Sequence, residues 1–307
     1  MRTVTRTIYG SSLQTAMHTG LPHEIPPHAS VAEALSDPLA VAHQPTPITA
    51  GMEVFAPYDA NTDTKDLAMR YIVIGNGAHY NVTGPVGSPP YPDTKKHRAR
   101  DSGLYRMMPF LVRPITNDLT ISERQKYRLR KSLYIDGILY VAYYARVLDL
   151  SSVAPEETLT TIVDGNPVIS NFVPTINDRR PTPPDIGTTN DGSFLAVSAN
   201  ITITLSAAEV QDIRDACALI FGDENQAIIS EIGHCTGLDR VVTAVYPNDI
   251  NAPQVPVAVT PDTYYDVVGF QIATHVTTVI PLIYSSGGVE MTYDIGNTEP
   301  LYGTDID

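Results

Sequence analysis

Asp136-Gly137 separates two β-prone runs, Tyr127–Ile135 and Ile138–Leu148. Asp-Gly supplies the two positive-φ positions of a type I′ turn, and the twist of that turn matches the strands it joins. The segment is therefore expected to be a β-hairpin. On its first strand Tyr127, Leu129, Leu133 and Ile135 share one face, interrupted by Lys131. Arg128, Arg130, Ser132 and Tyr134 share the other, which is predicted to be cationic. The 25 Pro and 20 Gly of the chain punctuate the rest with turns and leave little room for long helices. The expected class is mainly β, between all-β and α+β. It has two β-rich regions, one principal helix at about 206–221 and an extended N-terminal arm.

The 307 residues suffice for one large or two ordinary domains. Residues 1–50 read as a Pro-rich arm, broken at Pro22, Pro26, Pro27, Pro38, Pro45 and Pro47. One short helix is predicted there, from the capping-box spacing of Ser30 and Glu33 to Pro38. Residues 51–150 read as a β-rich domain carrying the basic hairpin. It starts with a strand at Met69–Ile74, followed by a long Gly/Pro-rich loop over 75–104. Gly75-Asn76-Gly77 lacks the third glycine and the following helix of a dinucleotide site, so a plain turn is expected. Thr120 and Glu123 have capping-box spacing, which predicts a short helix leading into the hairpin.

Residues 151–192 read as an acidic, Pro-rich loop or linker, centred on Asn177–Asp185. Residues 193–307 read as a second β-rich domain with one helix. In it Phe194–Leu205 and Ala227–Ile232 are predicted strands, and further strands are expected over Tyr264–Tyr293. Pro281 implies an edge or a bend there. Ser206 and Glu209 form a capping box, Gly222 suits the C-terminal stop, and Val210, Ile213, Cys217 and Ile220 make one apolar stripe. Glu209, Asp212 and Asp215 are expected to point outward on that helix.

Charge is unevenly distributed. Residues 1–146 hold 16 of the 20 Lys and Arg and 12 of the 34 Asp and Glu, a net of +4; the remainder holds 4 and 22, a net of −18. A patch of each sign on one chain can attract further copies or an acidic partner. The acidic total opposes nucleic acid at long range. Three readings of the basic window, Lys95–Lys131, compete: subunit interface, solvated face and polyanion site. The interface explains both halves of the chain together, and its predicted contact residues are Arg106, Arg113, Arg124, Arg128 and Arg130.

No catalytic motif, metal set or cofactor fingerprint stands out, so no enzyme activity and no cofactor are expected. Eight His are scattered, and His234-Cys235, near Asp239, is the nearest approach to a cluster; it reads as structural. Cys217 and Cys235 make no disulfide framework and are expected to be reduced. The N-terminal residues lack an apolar stretch, so no secretory signal is expected. No apolar run is long enough to span a bilayer, so no membrane partner is expected.

The run Leu104–Pro114, then Asn117–Arg124, Tyr127–Arg130 and the hairpin through Ala142-Tyr143-Tyr144, resembles structural tail proteins of contractile-tailed bacteriophages. It is most similar to the baseplate-wedge type. Ile229-Ser-Glu-Ile-Gly233 fits the same pattern, and the resemblance covers about 69–150 and 194–240. It implies a β-rich virion subunit without catalysis, assembled in the host cytoplasm and held by copies of itself and other tail proteins. No small-molecule substrate is expected. A neck, collar or capsid-associated role, or a carbohydrate- or nucleic-acid-binding module, is the alternative. Reversing Arg128 and Arg130 to Glu is expected to block assembly while leaving the subunit folded.

Overall fold

A computed structural model describes residues 3–19, 69–82, 91–179, 192–244 and 262–300. The protein is mainly β, and the chain divides into two compact units. The first comprises residues 1–149 and 204–289, the second residues 150–203 and 290–307. One division falls near residue 150, and the grouping beyond it differs from a separate domain over 193–307. The principal helix and the strands after it fold with the N-terminal half, and residues 193–307 are not a domain of their own.

The first unit is built on one antiparallel sheet. Its strands are β1 (Thr3–Arg6), β2 (Met69–Gly75), β5 (Met107–Met108), β6 (Leu111–Pro114), β7 (Tyr127–Ile135), β8 (Ile138–Val147), β12 (Ile228–Ala244) and β13 (Asp262–Pro281). The order is β1-β13-β12-β2-β8-β6, with β5 on β2 and β7 on β8. A separate pair, β3 (His79–Val82) with β4 (Tyr91–Thr94), lies where a long loop was expected. The register of β12 shifts on β13 between Ile229 and Glu231, between His234 and Cys235, and between Thr236 and Leu238. Bulges of this kind bend a strand and raise its twist. The sheet curls far enough that β7, at the end beyond β8, also touches β13.

The hairpin is as predicted. Asp136 and Gly137 have φ of 49° and 78°, and Ile135 faces Ile138 across the turn. Strict alternation fails on β7, however, because Tyr127, Arg128, Leu129 and Arg130 are all buried. Leu129 has φ of 52°, a conformation few side chains adopt, and it drops out of the ladder with β8. Besides β8, β7 is in contact with β13 and α2. A core of Tyr71, Val73, Leu129, Tyr144, Phe270 and Ile272 fills the interior.

The first residues of the expected arm belong to the first unit and are extended only over β1. β1 pairs with β13, and a helix, α1 (Ile8–Thr19), follows it. Thr7 starts that helix: its hydroxyl accepts the Gly10 N–H at 3.0 Å and donates to the Ile272 carbonyl at 2.6 Å. The stretch before Pro22 contains no proline, so nothing breaks a helix there. The helix expected at 30–38 lies outside the described residues.

The two other predicted caps are formed. The short α2 (Ile121–Arg124) begins at a Thr120–Glu123 capping box, and α3 (Ala207–Phe221) at a Ser206–Glu209 box. Gly222 ends α3 with φ of 74°, and Val210, Ile213, Ala216 and Cys217 are its buried stripe. β13 ends at Pro281 in a 3-10 turn, the bend that proline implies.

The second unit holds an antiparallel four-stranded sheet in the order β10-β9-β11-β14. Its strands are β9 (Pro155–Val163), β10 (Asn166–Asn171), β11 (Phe194–Leu205) and β14 (Val289–Pro300). The acidic stretch read as a loop therefore contains a hairpin. Its turn, Asp164-Gly165, has φ of 51° and 78°, the same signal as the first hairpin. Of the linker centre, residues 180–185 lie outside the described residues.

Removing one cap tests how far α3 depends on local chemistry. Ser206→Ala should lower the stability of the first unit by about 1 kcal/mol, read as a shift in urea midpoint. An unchanged midpoint would show that packing alone holds the helix start.

Candidate functional site

Two polar centres and one exposed apolar hairpin are the features from which a function can be built. The first centre is where the predicted contact arginines go. Asp118 accepts hydrogen bonds from Arg124 and Arg130, each at 2.8 Å, and from the Tyr143 hydroxyl at 2.9 Å. Arg128 donates to the carbonyls of Gln125 and Tyr127 at 2.7 Å and sits over the Tyr71 ring. Arg124, Arg128 and Arg130 are 8%, 4% and 3% exposed. Arg113 binds Asp212 of α3 at 2.5 Å. Arg106 is exposed, yet it donates to Asn76 and Gln226 and lies over the Phe221 ring at 4.9 Å.

Two acids of α3, Glu209 and Asp212, are turned to the same region, and Asp215 is exposed as expected. Lys126 and Arg146 approach Glu209 at 2.7 and 3.5 Å. The expected outward cationic patch is therefore corrected: these arginines are matched inside the unit by Asp118, Asp212 and carbonyl groups. Glu at 128 and 130 would bring new carboxylates toward Asp118 in a buried space and would unfold the sheet. It would not act on assembly alone.

The second centre is Glu231 of β12, a charged residue with no exposure. Its Oε1 accepts the backbone N–H of Gly77 at 3.0 Å and of Arg106 at 2.9 Å. Its Oε2 accepts the Tyr105 N–H at 2.9 Å, and His97 Nε2 donates to it at 2.9 Å. His97 is stacked between His275, at 3.9 Å between ring centres, and Tyr105, at 4.5 Å. His275 Nε2 in turn donates to the Asp101 carbonyl at 3.0 Å.

The glycine pair of the 75–77 turn is explained here. A Cβ on Gly75 would lie 2.5 Å from the Arg106 carbonyl and 2.6 Å from Glu231 Oε1. A Cβ on Gly77 would lie 2.7 Å from the Arg106 nitrogen. The glycines admit the 105–106 backbone and the carboxylate; they do not cradle a phosphate.

Burial by itself would raise the Glu231 carboxyl. The His97 hydrogen bond and the N–H groups of Arg106, Tyr105 and Gly77 outweigh it and hold the group below its usual 4.5. Burial lowers His275 to about 4, helped by the neighbouring His97, and lowers His234 to about 3. A carboxylate with both oxygens engaged and no exposure can tie a loop to a strand, but it cannot reach an external substrate. His234-Cys235 is buried inside β12, as a structural pair would be, and burial raises the Cys235 thiol. The Asp239 side chain lies outside the described ones.

Among the described residues no group of three or more His, Cys, Asp or Glu is placed to hold a metal. No helix among them is long and apolar enough to cross a membrane. One shallow pocket of about 530 Å³ is lined by Thr3, Tyr80, Asp93, Thr94, Lys95 and Lys96. It uses two cations of the basic window, and in its wall the Tyr80 hydroxyl donates to Asp93 at 3.2 Å.

The third feature lies in the second unit. All six residues of β10 are exposed. Val163, Val168, Ile169, Val173 and Ile176 of this hairpin and its continuation are between 50% and 74% exposed. Val163 and Val168 share one face of the hairpin and Ile169 takes the other, so apolar side chains are exposed on both.

These features define a mainly β protein with internally neutralised cations and an apolar hairpin in its second unit. The chain matches, over residues 52–306, the family model described as a family of unknown function, DUF7208, and it belongs to that family. No curated protein and no solved structure matches it.

The Glu231 centre escapes sequence reasoning because His97, Glu231 and His275 are far apart in the chain. One signal was present: a lone Glu within the apolar run Ile229–Gly233, where a charge survives only with partners. The β10 hairpin carries the Asp-Gly signal already used for β7–β8.

Both centres make checkable demands. Asp118→Ala removes the carboxylate shared by two buried guanidiniums and should cost about 3–5 kcal/mol in chemical denaturation; a loss below 1 kcal/mol would refute the buried network. For pH, His234 and His275 are neutral in both folded and unfolded chains above about 6.5. Below that value the unfolded chain takes up protons that the folded one refuses. Stability should fall by several kcal/mol between about pH 6.5 and 4, and further below 4.5 as Glu231 is protonated. Urea titrations at successive pH values measure this, and a flat profile across that window contradicts the burial of these rings.

Proposed function

We propose that this chain is a structural subunit of a bacteriophage particle, of the contractile-tail baseplate-wedge kind, working through protein–protein assembly in the virion. The observation that carries the reading is the exposed apolar hairpin. Val168 and Ile169 stand 50% and 71% exposed on the strand that ends the second unit's sheet. A monomer that worked alone would gain nothing from them, and an edge of this kind is a hazard unless a partner covers it.

The segments that resemble tail proteins supply the scaffold of the first unit: β2, β5 to β8, α2, α3 and the start of β12. Their arginines brace that scaffold from inside, so contacts with other subunits fall to apolar and main-chain surfaces. The partners proposed are copies of the chain and other tail proteins, brought together in the host cytoplasm. Many subunits of fixed shape, each burying area at several contacts, give a rigid particle by mass action.

Particles purified from a lysate of the encoding host test this. Mass spectrometry should find the chain in stoichiometric amount, and a labelled chain should map to the distal end of the tail. A label at the neck or capsid would favour the alternative virion roles. Absence from washed particles would overturn the reading.

A further inference from the structure

The outer edge of β10 offers more than apolar area, and its backbone arrangement determines what can pair with it. The two-residue turn at Asp164-Gly165 sets the parity of the hairpin. Asn166 lies opposite Val163, and the register runs without a shift to Asn171 opposite Thr158. Beyond it the Phe172 N–H still donates to the Glu157 carbonyl at 2.9 Å. Alternate residues of an antiparallel strand point their main-chain groups to opposite sides. Asn166, Val168, Ser170 and Phe172 therefore turn theirs toward β9. Pro167, Ile169 and Asn171 turn theirs away, and among the described residues no strand meets them.

Natural edges are usually blunted by charges, bulges or prolines. Residues 166–173, Asn-Pro-Val-Ile-Ser-Asn-Phe-Val, carry no charge, and the β9–β10 register contains no bulge. Proline is the one device present. Pro167 occupies an outward position, so it removes one donor from the edge but keeps its carbonyl. A residue opposite Pro167 can donate to that carbonyl but receives no N–H in return.

We infer that the outer edge of β10 pairs antiparallel with the same edge of a second copy of this chain, Ile169 opposite Ile169, joining two four-stranded sheets into one. In that register the two Ile169 residues exchange N–H and C=O groups. Asn171 falls opposite the second copy's Pro167 and donates its N–H to that carbonyl. The two-fold axis repeats the bond in the other direction. Pro167 has no N–H to return, so the outward Asn171 carbonyl of each copy stays with solvent at the rim of the pair. Side chains agree, since Ile169 meets Ile169 and Val168 meets Ser170 across the pair.

The edge carries no charge that would select an acidic or a basic partner. The chain carries a net charge of −14, so copies repel one another at long range. Across an uncharged edge two such copies can approach with no like charges directly opposed. The inference deepens the assembly reading and rests on it in taking this edge for a contact; it adds the partner and the register.

Sedimentation velocity on the full chain tests it. The wild type should show a monomer–dimer equilibrium that strengthens as salt is raised, because salt screens the repulsion between acidic copies. Ile169→Lys places two ammoniums on the axis, and Asn171→Pro deletes the outward donor without touching a bond to β9. Each should weaken the dimer by about tenfold or more, with the circular-dichroism spectrum unchanged. Ile169→Cys should cross-link to itself under mild oxidation, since Cys217 and Cys235 are buried. Val173→Cys, beyond the paired edge, should not.

A wild type that stays monomeric at high concentration and high salt overturns the pairing. So does a dimer that both edge variants leave intact, or one that weakens with salt. If the chain is monomeric yet present in purified tails, self-pairing fails while the assembly reading stands. If it dimerises through β10 yet is absent from particles, the virion reading alone fails.

Discussion

The structure depends on the cancellation of a basic segment by Asp118 within it and by Asp212 and Glu209 of α3. Arg124 and Arg130 share Asp118, Arg113 meets Asp212, and Lys126 and Arg146 meet Glu209. A guanidinium removed from water is tolerated only with charge and hydrogen bonds close by. With Asp118 beneath it, β7 can bury four consecutive residues, and the sheet can curl until β7 reaches β13. The cluster holds the curl together and also takes Arg124 and Arg130 away from the surface.

Glu231 performs a comparable task at the opposite side of β2. It ties β12 to the turn at Gly75–Gly77 and to the 97–106 segment, and its His97 partner is wedged between two rings. Buried imidazoles beside such a carboxylate suggest acid–base chemistry at first sight. The complete set of internal acceptor bonds on Glu231 argues for fastening instead. With both polar centres devoted to holding the first unit, the exposed apolar hairpin of the second unit becomes the main surface on which a function can rest. That is why the proposed role is assembly, and why the main chain of β10 matters more to it than any charged side chain.

The sites and the fold were unequally legible. The Asp-Gly turns, the capping boxes at Thr120 and Ser206 and the stop at Gly222 each depend on a few neighbouring residues, so they can be read from spacing. The second Asp-Gly hairpin was as legible as the first and was obscured only by the acidic, Pro-rich composition around it. The faces of β7 were misjudged for a different reason. Alternation says which side chains share a face, but not whether a curled sheet covers both faces. Nor can spacing reveal that Leu129 leaves the regular β conformation.

The sequence by itself determined the class of the protein, its two principal turns, its main helix and the stripe that helix buries, because those are set by local backbone preference and by periodicity. Only the tertiary structure decided where the charges went, that residues 204–289 complete the unit begun by the N-terminal half, and that three side chains as distant as His97, Glu231 and His275 share one buried centre. Those outcomes depend on which strands pair across long stretches of chain. Pairing of that kind is chosen by the total area buried and by the need of every buried charge for a partner, quantities that no short window of residues contains.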